Sequence, residues 1–332
     1  MTFTTLTDES IAVEKALLYN SFYSSHVEVT IESIKEKLAS IFSKQRSTQF
    51  DASLKESARK NITHTLAEYG LKIITQAFVI KSISEKPLHG ENIIAILPGK
   101  QRDTSNDMIT VIGAHYDTVK DCPGVDDNGS GVVAILEAAK GALGSLAFVD
   151  HYLIAKELIE KRHKFRAAFI ADMILNYDKR ANTQILPNDV KKMFPNLYDD
   201  MKRNQFRGDF LAIWMRKQID NDSLSYFTNY WKNDYNLVIF DPEIPATNMS
   251  AEILHKYRTF LRSDHSSFWF HRNFNYNYPL SAILLTDMGP WRGIQRMCYH
   301  DWCDDTKQLT DENLAFIKNT IDTIIEMVVN QF

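Results

Sequence analysis

Residues 108–139 read "MITVIGAHYDTVKDCPGVDDNGSGVVAILEAA", and this stretch constrains the fold more than any other. It opens on an apolar run too short for an ordinary helix, which reads as a strand buried on both faces. A turn rich in Asp, Asn and Gly follows. From Ser130 the apolar residues return at helical spacing behind a capping-type residue. A buried strand feeding a helix through a tight polar turn commits the chain to a sheet with crossover helices.

The flanking segments extend that pattern. "IESIKEKLASIFSKQRSTQFDASLKESARKNITHTLAEYG" steps its apolar residues by three and four and closes on Gly70, predicting two amphipathic helices with a glycine cap. "LKIITQAFVIKS" and "ENIIAILPG" read as strands, with "MITVIGAHYD" the central one. "GSLAFVDHYLIAKELIEKRH" is a second helical pattern, "FRAAFIADM" a strand ending on an aspartate, and Asn188 to Lys232 a helical, aromatic-rich middle. "NLVIF" and "SAILLTD" are further strands, and "DENLAFIKNTIDTIIEMVVNQF" an amphipathic closing helix. The expected fold class is α/β, a three-layer, mostly parallel mixed sheet with helices on both faces. Two units are expected, an N-terminal helical lead-in over residues 1–45 and a single domain over 46–332.

With 332 residues and 44% hydrophobic content the chain can bury a large core, and a formal net charge of −4 favours neither nucleic acid nor an anionic membrane as partner. No window approaches the roughly 18 apolar residues of a spanning helix, and the N-terminus lacks a signal-peptide pattern. The expected location is therefore cytoplasmic, or secreted or vesicular if the N-terminus is incomplete. The sequons at Asn61, Asn128, Asn221 and Asn248 are short enough to arise by chance. Cys122, Cys298 and Cys303 form no C-x-x-C pair and imply no disulfide framework.

In a sheet of this class the chemistry gathers beyond the carboxyl ends of the strands. His115 and Asp172 each end a strand, and Asp126 follows eleven residues after His115 at the start of a helix. Imidazole and carboxylate are the ligand types of zinc, and three such ligands with one open position make a catalytic site. Asp117 lies on the same side of an extended chain as His115 and can hold its second ring nitrogen. Taken alone, "DDNGSG" is equally an ordinary turn with a helix cap. Two later stretches, "RSDHSSFWF" and "MCYHDWCDDT", add His265 and His300 in acidic, aromatic surroundings. Trp269, Phe270, Trp291 and Tyr299 can line an apolar pocket or belong to the core. Asp287 reads as a turn residue.

The order "GAHYDT", "PGVDDNGSGVVAILEAA", "GSLAFV", "FIADMI", "SDHSSFW", "YHDWCDDT" resembles the co-catalytic zinc exopeptidases of clan MH, the branch of leucyl-type aminopeptidases, plasma glutamate carboxypeptidase and glutaminyl cyclase. The resemblance covers roughly residues 50 to 330. It implies that His115 and Asp172 hold a first zinc, that Asp117 orients His115, and that Asp126 bridges both metals beside a cis Asp126–Asp127 bond. It further implies that His300 holds the second zinc, that His265 contacts substrate or the developing oxyanion, and that Tyr299 and Trp269 border the substrate. Glutaminyl cyclases usually carry Asp-Ser where this chain has Asp126-Asp127, which favours the peptidase branch.

One part of the pattern is missing. Between the helix after Gly129 and "GSLAFV" the family has a buried strand ending in Glu-Glu, the general base and a ligand of the second zinc. Here the text runs "ILEAAKGALGSLAFV", with neither strand nor glutamate pair near Lys140 and Gly141. Glu137, Glu157 and Glu160 read as members of a solvated helix face. The implied function is a zinc-dependent metallo-exopeptidase of aminopeptidase or dipeptidase type, acting on peptides near a free N-terminus and impaired in this chain, with one zinc or none in place of two. The alternatives are a silent isoform or paralogue that binds peptide, metal or a partner, and a glutaminyl cyclase-like chain. Oligomeric state is not legible.

Overall fold

The computed structural model describes residues 29–47, 51–80, 88–97, 99, 101–138, 149–232, 234–246, 250–271, 273 and 275–330. The junction at Lys140 and Gly141, with most of "GSLAFV" and residues 1–28 of the lead-in, lies outside them.

Among the described residues seven strands form two sheets. β1 (Lys72–Ile80) and β2 (Leu88–Ile96) make an antiparallel pair. β3 (Met108–Gly113), β4 (Lys164–Ala171), β5 (Phe210–Trp214), β6 (Asn236–Phe240) and β7 (Ala282–Thr286) make the main sheet, in the order β3-β4-β7-β5-β6. β3, β4 and β7 run parallel, as do β5 and β6, and the two groups meet antiparallel between β5 and β7. The sheet is thus mixed and mostly parallel, and helices flank it. β3 is not central: among the described residues it pairs with β4 alone. β5 was hidden in the helical middle, since all five of its residues are buried and a short apolar run carries no period of its own.

Helices α1 (Ile31–Ser40), α2 (Ala52–Glu68), α3 (Gly131–Ala138), α4 (Val149–Glu160), α5 (Pro195–Arg203), α6 (Asn221–Thr228) and α7 (Asp311–Val329) pack around the sheets, with shorter turns between them. α1 begins at Thr30, whose hydroxyl accepts from the Ser33 amide, and buries Ile34 and Leu38 one turn apart. Those residues and Phe42 join the same core as β3, β4 and α7. α7 is capped by Thr310 and carries Asp311 and Glu312 against the positive end of its dipole. Its buried Leu314, Ile317, Ile321 and Ile324 contribute roughly 1.5–3 kcal/mol each relative to exposure. α2 ends near Gly70, which takes the left-handed conformation expected of a cap (φ +76°).

Two of the three glutamates are not on a solvated face. Glu137 is buried, with its carboxylate bound by Ser33 Oγ at 2.7 Å and Lys37 Nζ at 2.8 Å. Glu157 is buried against His163 Nδ1 at 2.9 Å and Arg102. Only Glu160 stays exposed, paired with Lys156. The lysines adjacent in sequence made the first two look solvated, whereas partners distant in sequence take them into the interior.

Candidate metal centre

β3, β4 and β7 are parallel, so their carboxyl ends share one edge of the sheet. His115 follows β3, Asp172 follows β4 and Asp287 follows β7. The turn between β3 and α3 brings a fourth group to that edge. Asn128 pins it there, donating from Nδ2 to the Ala171 carbonyl at 2.9 Å and accepting from the Gly131 and Met173 amides. A Cβ at Gly131 would collide with both the Ala171 carbonyl and the Asn128 side chain, so only glycine lets α3 start this close to β4.

His115 Nε2 lies 3.3 Å from Asp127 Oδ1 and 3.5 Å from Asp172 Oδ1. Its Nδ1 lies 3.2 Å from the Asp117 carbonyl and 3.4 Å from the Asp117 carboxylate. With the proton on Nδ1, the ring donates to Asp117 and turns the lone pair of Nε2 toward the other two carboxylates. His300 Nε2 reaches the remaining oxygen of Asp127, Oδ2, at 3.1 Å. Asp127 therefore stands between the two imidazoles.

The carboxylate that lies between the two imidazoles is that of Asp127, one residue after the expected Asp126. Asp126 is fully buried and points away, accepting from the Leu175 amide and Ser130 Oγ at Oδ1 and from Gln295 Nε2 at Oδ2. The cis bond is likewise Asp127–Asn128. Asp304, which the sequence reading passed over, fastens the tandem: its two carboxylate oxygens accept from the Asp126 and Asp127 amides, each at 3.0 Å.

Two further placements are corrected. His265 is wholly buried, with Nε2 against the Phe260 carbonyl at 2.8 Å and its ring on Trp269 at 4.5 Å. Burial pushes its pKa down to about 3, so it is a neutral core side chain. Trp269 is also core, donating from Nε1 to the Ala282 carbonyl at 2.8 Å. Both sit on a short helix, His265–Trp269, whose apolar side packs under β7. Tyr299 does border the cluster, its ring stacked on His300 at 3.8 Å.

A disulfide joins Cys298 and Cys303. It closes the turn that carries His300 and corrects the expectation of no disulfide: no C-x-x-C spacing marks the pair, and the turn itself brings the two Cα atoms to 5.0 Å.

The charges reinforce one another. Burial works against the charged forms of His115 and Asp127, but hydrogen bonds outweigh it, those of Asp117, Asp127 and Asp172 raising His115 well above its ordinary value and those of His115 and His300 holding Asp127 well below. Asp126 is raised by burial and by the nearby charges of Asp287 and Asp304, and Asp287 is raised to about 7 by burial.

The donor set fits zinc. Imidazole nitrogen and two carboxylate oxygens all lie within 4.8 Å of one another. Tetrahedral ligands at about 2.0–2.1 Å from zinc stand about 3.3 Å apart, which matches the separations around His115 Nε2. Asp172 Oδ1 is buried with no hydrogen-bond partner, an omission that a cation satisfies. For a second ion the described residues offer Asp127 Oδ2 and His300 Nε2 alone.

Comparison with known proteins agrees with this picture. Residues 92–147 match the sequence profile of peptidase family M28. A probable leucine aminopeptidase of Trichophyton verrucosum is 45% identical over 64 residues, 17% of this chain and 16% of that relative's length. The match thus spans about a sixth of the curated relative. Among solved structures, a zinc aminopeptidase of Bacillus subtilis superposes with a TM-score of 0.58 at 11% identity, covering 92% of this chain and 96% of that one. A glutaminyl cyclase of Porphyromonas gingivalis gives 0.51 at 17% identity, covering 91% and 99%. Those likenesses are of fold. Residues 92–147 thus resemble peptidase family M28, and the fold is like that of the zinc aminopeptidase and the glutaminyl cyclase on which the chain superposes.

Proposed function

We propose that the chain is a metallo-exopeptidase type that holds one zinc through His115, Asp127 and Asp172, binds short peptides by their free amino end, and hydrolyses them weakly. The observation that carries this reading is the convergence of three zinc-type donors beyond the carboxyl ends of β3 and β4, with a buried, unpartnered oxygen on Asp172.

A zinc ion held there supplies a Lewis acid that polarises a carbonyl and makes water a better nucleophile. Asp117 keeps His115 in the tautomer that ligates. Asp304 holds the Asp127 backbone so that its carboxylate faces both imidazoles. Asp127 and Asp172 also supply the negative charge that attracts a peptide ammonium group. No Asp or Glu stands between Glu137 and Asp150, so this interval supplies no carboxylate base to accept the proton of the attacking water. Loss of a placed general base commonly costs about two to four orders of magnitude.

Elemental analysis after zinc equilibration and desalting tests the reading, together with a leucyl-peptide assay. One zinc per chain with hydrolysis at least about 100-fold below an intact relative is expected. Two zincs with full activity would overturn the assignment of an impaired site. A second reading, cyclisation of N-terminal glutamine, is favoured by the single complete ligand set, and ammonia release from a glutaminyl peptide distinguishes it.

A further inference from the structure

The acidic cluster is bordered by a cation. Arg262 closes the helical turn Arg258–Leu261 and lays its guanidinium 5.2 Å from the Trp291 ring centre and 5.5 Å from that of Tyr299. Its Nη2 donates to the Tyr299 hydroxyl at 3.2 Å. The side chain is exposed, and among the described residues no carboxylate pairs with it. Two aromatic faces hold the fork in place, and most of its five N–H groups point to no protein acceptor.

Tyr299 touches both charge signs. Its ring stacks on His300, next to Asp127. The same ring and its hydroxyl meet Arg262. Burial and the negative charges of Asp127 and Asp172 raise the Tyr299 hydroxyl, while Arg262 pulls it down. The His300 ring and the Arg262 guanidinium are no more than about 9 Å apart, given stacking at 3.8 Å and a cation-to-ring distance of 5.5 Å. A dipeptide extends about 7 Å. It is a zwitterion whose ammonium end suits the aspartates and whose carboxylate end suits the guanidinium, whereas a longer peptide passes neutral backbone at that point.

We propose that Arg262 is a carboxylate anchor, selecting short peptides of dipeptide length by their free C-terminal carboxylate. The proposal rests on the reading that the zinc-bearing aspartates take the amino end. A planar guanidinium binds a carboxylate through paired hydrogen bonds, which a lysine ammonium cannot reproduce.

Calorimetric binding to the zinc-equilibrated full chain tests it without turnover. The probe is leucylglycine with CH2–NH in place of the peptide bond, compared with its C-terminal amide and with the corresponding Leu-Gly-Gly. The free acid should bind about 10- to 100-fold tighter than the amide. Arg262→Gln should bring that ratio close to one, and Arg262→Lys should leave it intermediate, both with zinc stoichiometry unchanged. Equal affinity of wild type for acid and amide overturns the anchor while leaving the metal centre standing. Tight binding of a leucylglutamate amide, with its side-chain carboxylate, would also overturn the C-terminal assignment. If zinc is not retained but the Arg262-dependent preference persists, the metal reading fails and the anchor stands. If no probe binds, the anchor falls whatever the zinc content.

Discussion

Asp127 faces His115 and His300 with its two oxygens at 3.3 Å and 3.1 Å, while its neighbour Asp126 turns into hydrogen bonds with Leu175, Ser130 and Gln295. In a tandem of identical side chains the spacing to His115 differs by one residue, too little for a pattern to choose between them. Interior donors choose instead. Burial and the neighbouring Asp287 and Asp304 charges raise the Asp126 carboxyl well above its ordinary range, and Asp126→Asn replaces it with a group of similar shape. That variant should keep zinc affinity within a few-fold. Asp127→Asn should lower it by at least about 100-fold, since even outer partners of a zinc ligand are worth about 10- to 100-fold. Competition with a chromogenic chelator measures both, and zinc loss in Asp126→Asn alone would return the ligand role to that residue. His265 and Trp269 illustrate the complementary error: their acidic and aromatic neighbours in sequence resembled a site, and tertiary burial made them core.

Two elements hold the centre from outside the strands. The Cys298–Cys303 disulfide closes the turn presenting His300. A loop this short removes about 2 kcal/mol of chain entropy from the unfolded state, so Cys303→Ser should lower the urea midpoint accordingly. Zinc bound by the three strand-edge ligands should be unaffected, and its loss would show that His300 is needed for the first ion. The second element is the segment after α1. Arg46 is buried there, with no carboxylate partner among the described residues, and donates to five carbonyls, those of Phe42, Lys44, Tyr116, Pro123 and Gly124. It therefore ties residues 42–46 to both ends of the loop that follows His115. Burial lowers its pKa to about 10, leaving it charged at neutral pH. Arg46→Met strands all five acceptors, and a loss above about 3 kcal/mol is expected in urea unfolding. A change below 1 kcal/mol would mean that water replaces the guanidinium.

At the scale of the whole molecule, the buried carboxyls set a pH signature. Asp287 accepts from the Asn176 and Gly289 amides and shares hydrogen bonding with Asp126, and its folded pKa of about 7 stands above the unfolded value of about 3.9. Between those limits the folded chain binds the extra proton, so stability of the metal-free protein should fall as pH rises from about 4 to about 7 and stay lower above it. The raised His115 contributes in the same direction above pH 6.5, because its favourable proton is lost as pH climbs. Urea midpoints at pH 5 and pH 8 measure the difference, which Asp287→Asn should reduce. A midpoint that rises with pH would contradict the assignment. No helix among the described residues is long and apolar enough to cross a membrane.

The local periodicities were enough to specify α2, α7, β4 and the strand-turn-helix unit at His115, because each has a hydrophobic repeat or a turn chemistry that needs no distant partner. Motif order added the sheet class and singled out His115, Asp172 and His300, which the fold brings into one cluster with Asp127. Tertiary structure decided what depends on residues far apart in sequence: β3 at the edge, β5 within the sheet, Glu137 and Glu157 buried, and Asp127 turned outward while Asp126 is turned in. For Glu137, Glu157 and Asp126 the deciding term is desolvation offset by a partner more than 40 residues away, and no short stretch of sequence contains that information.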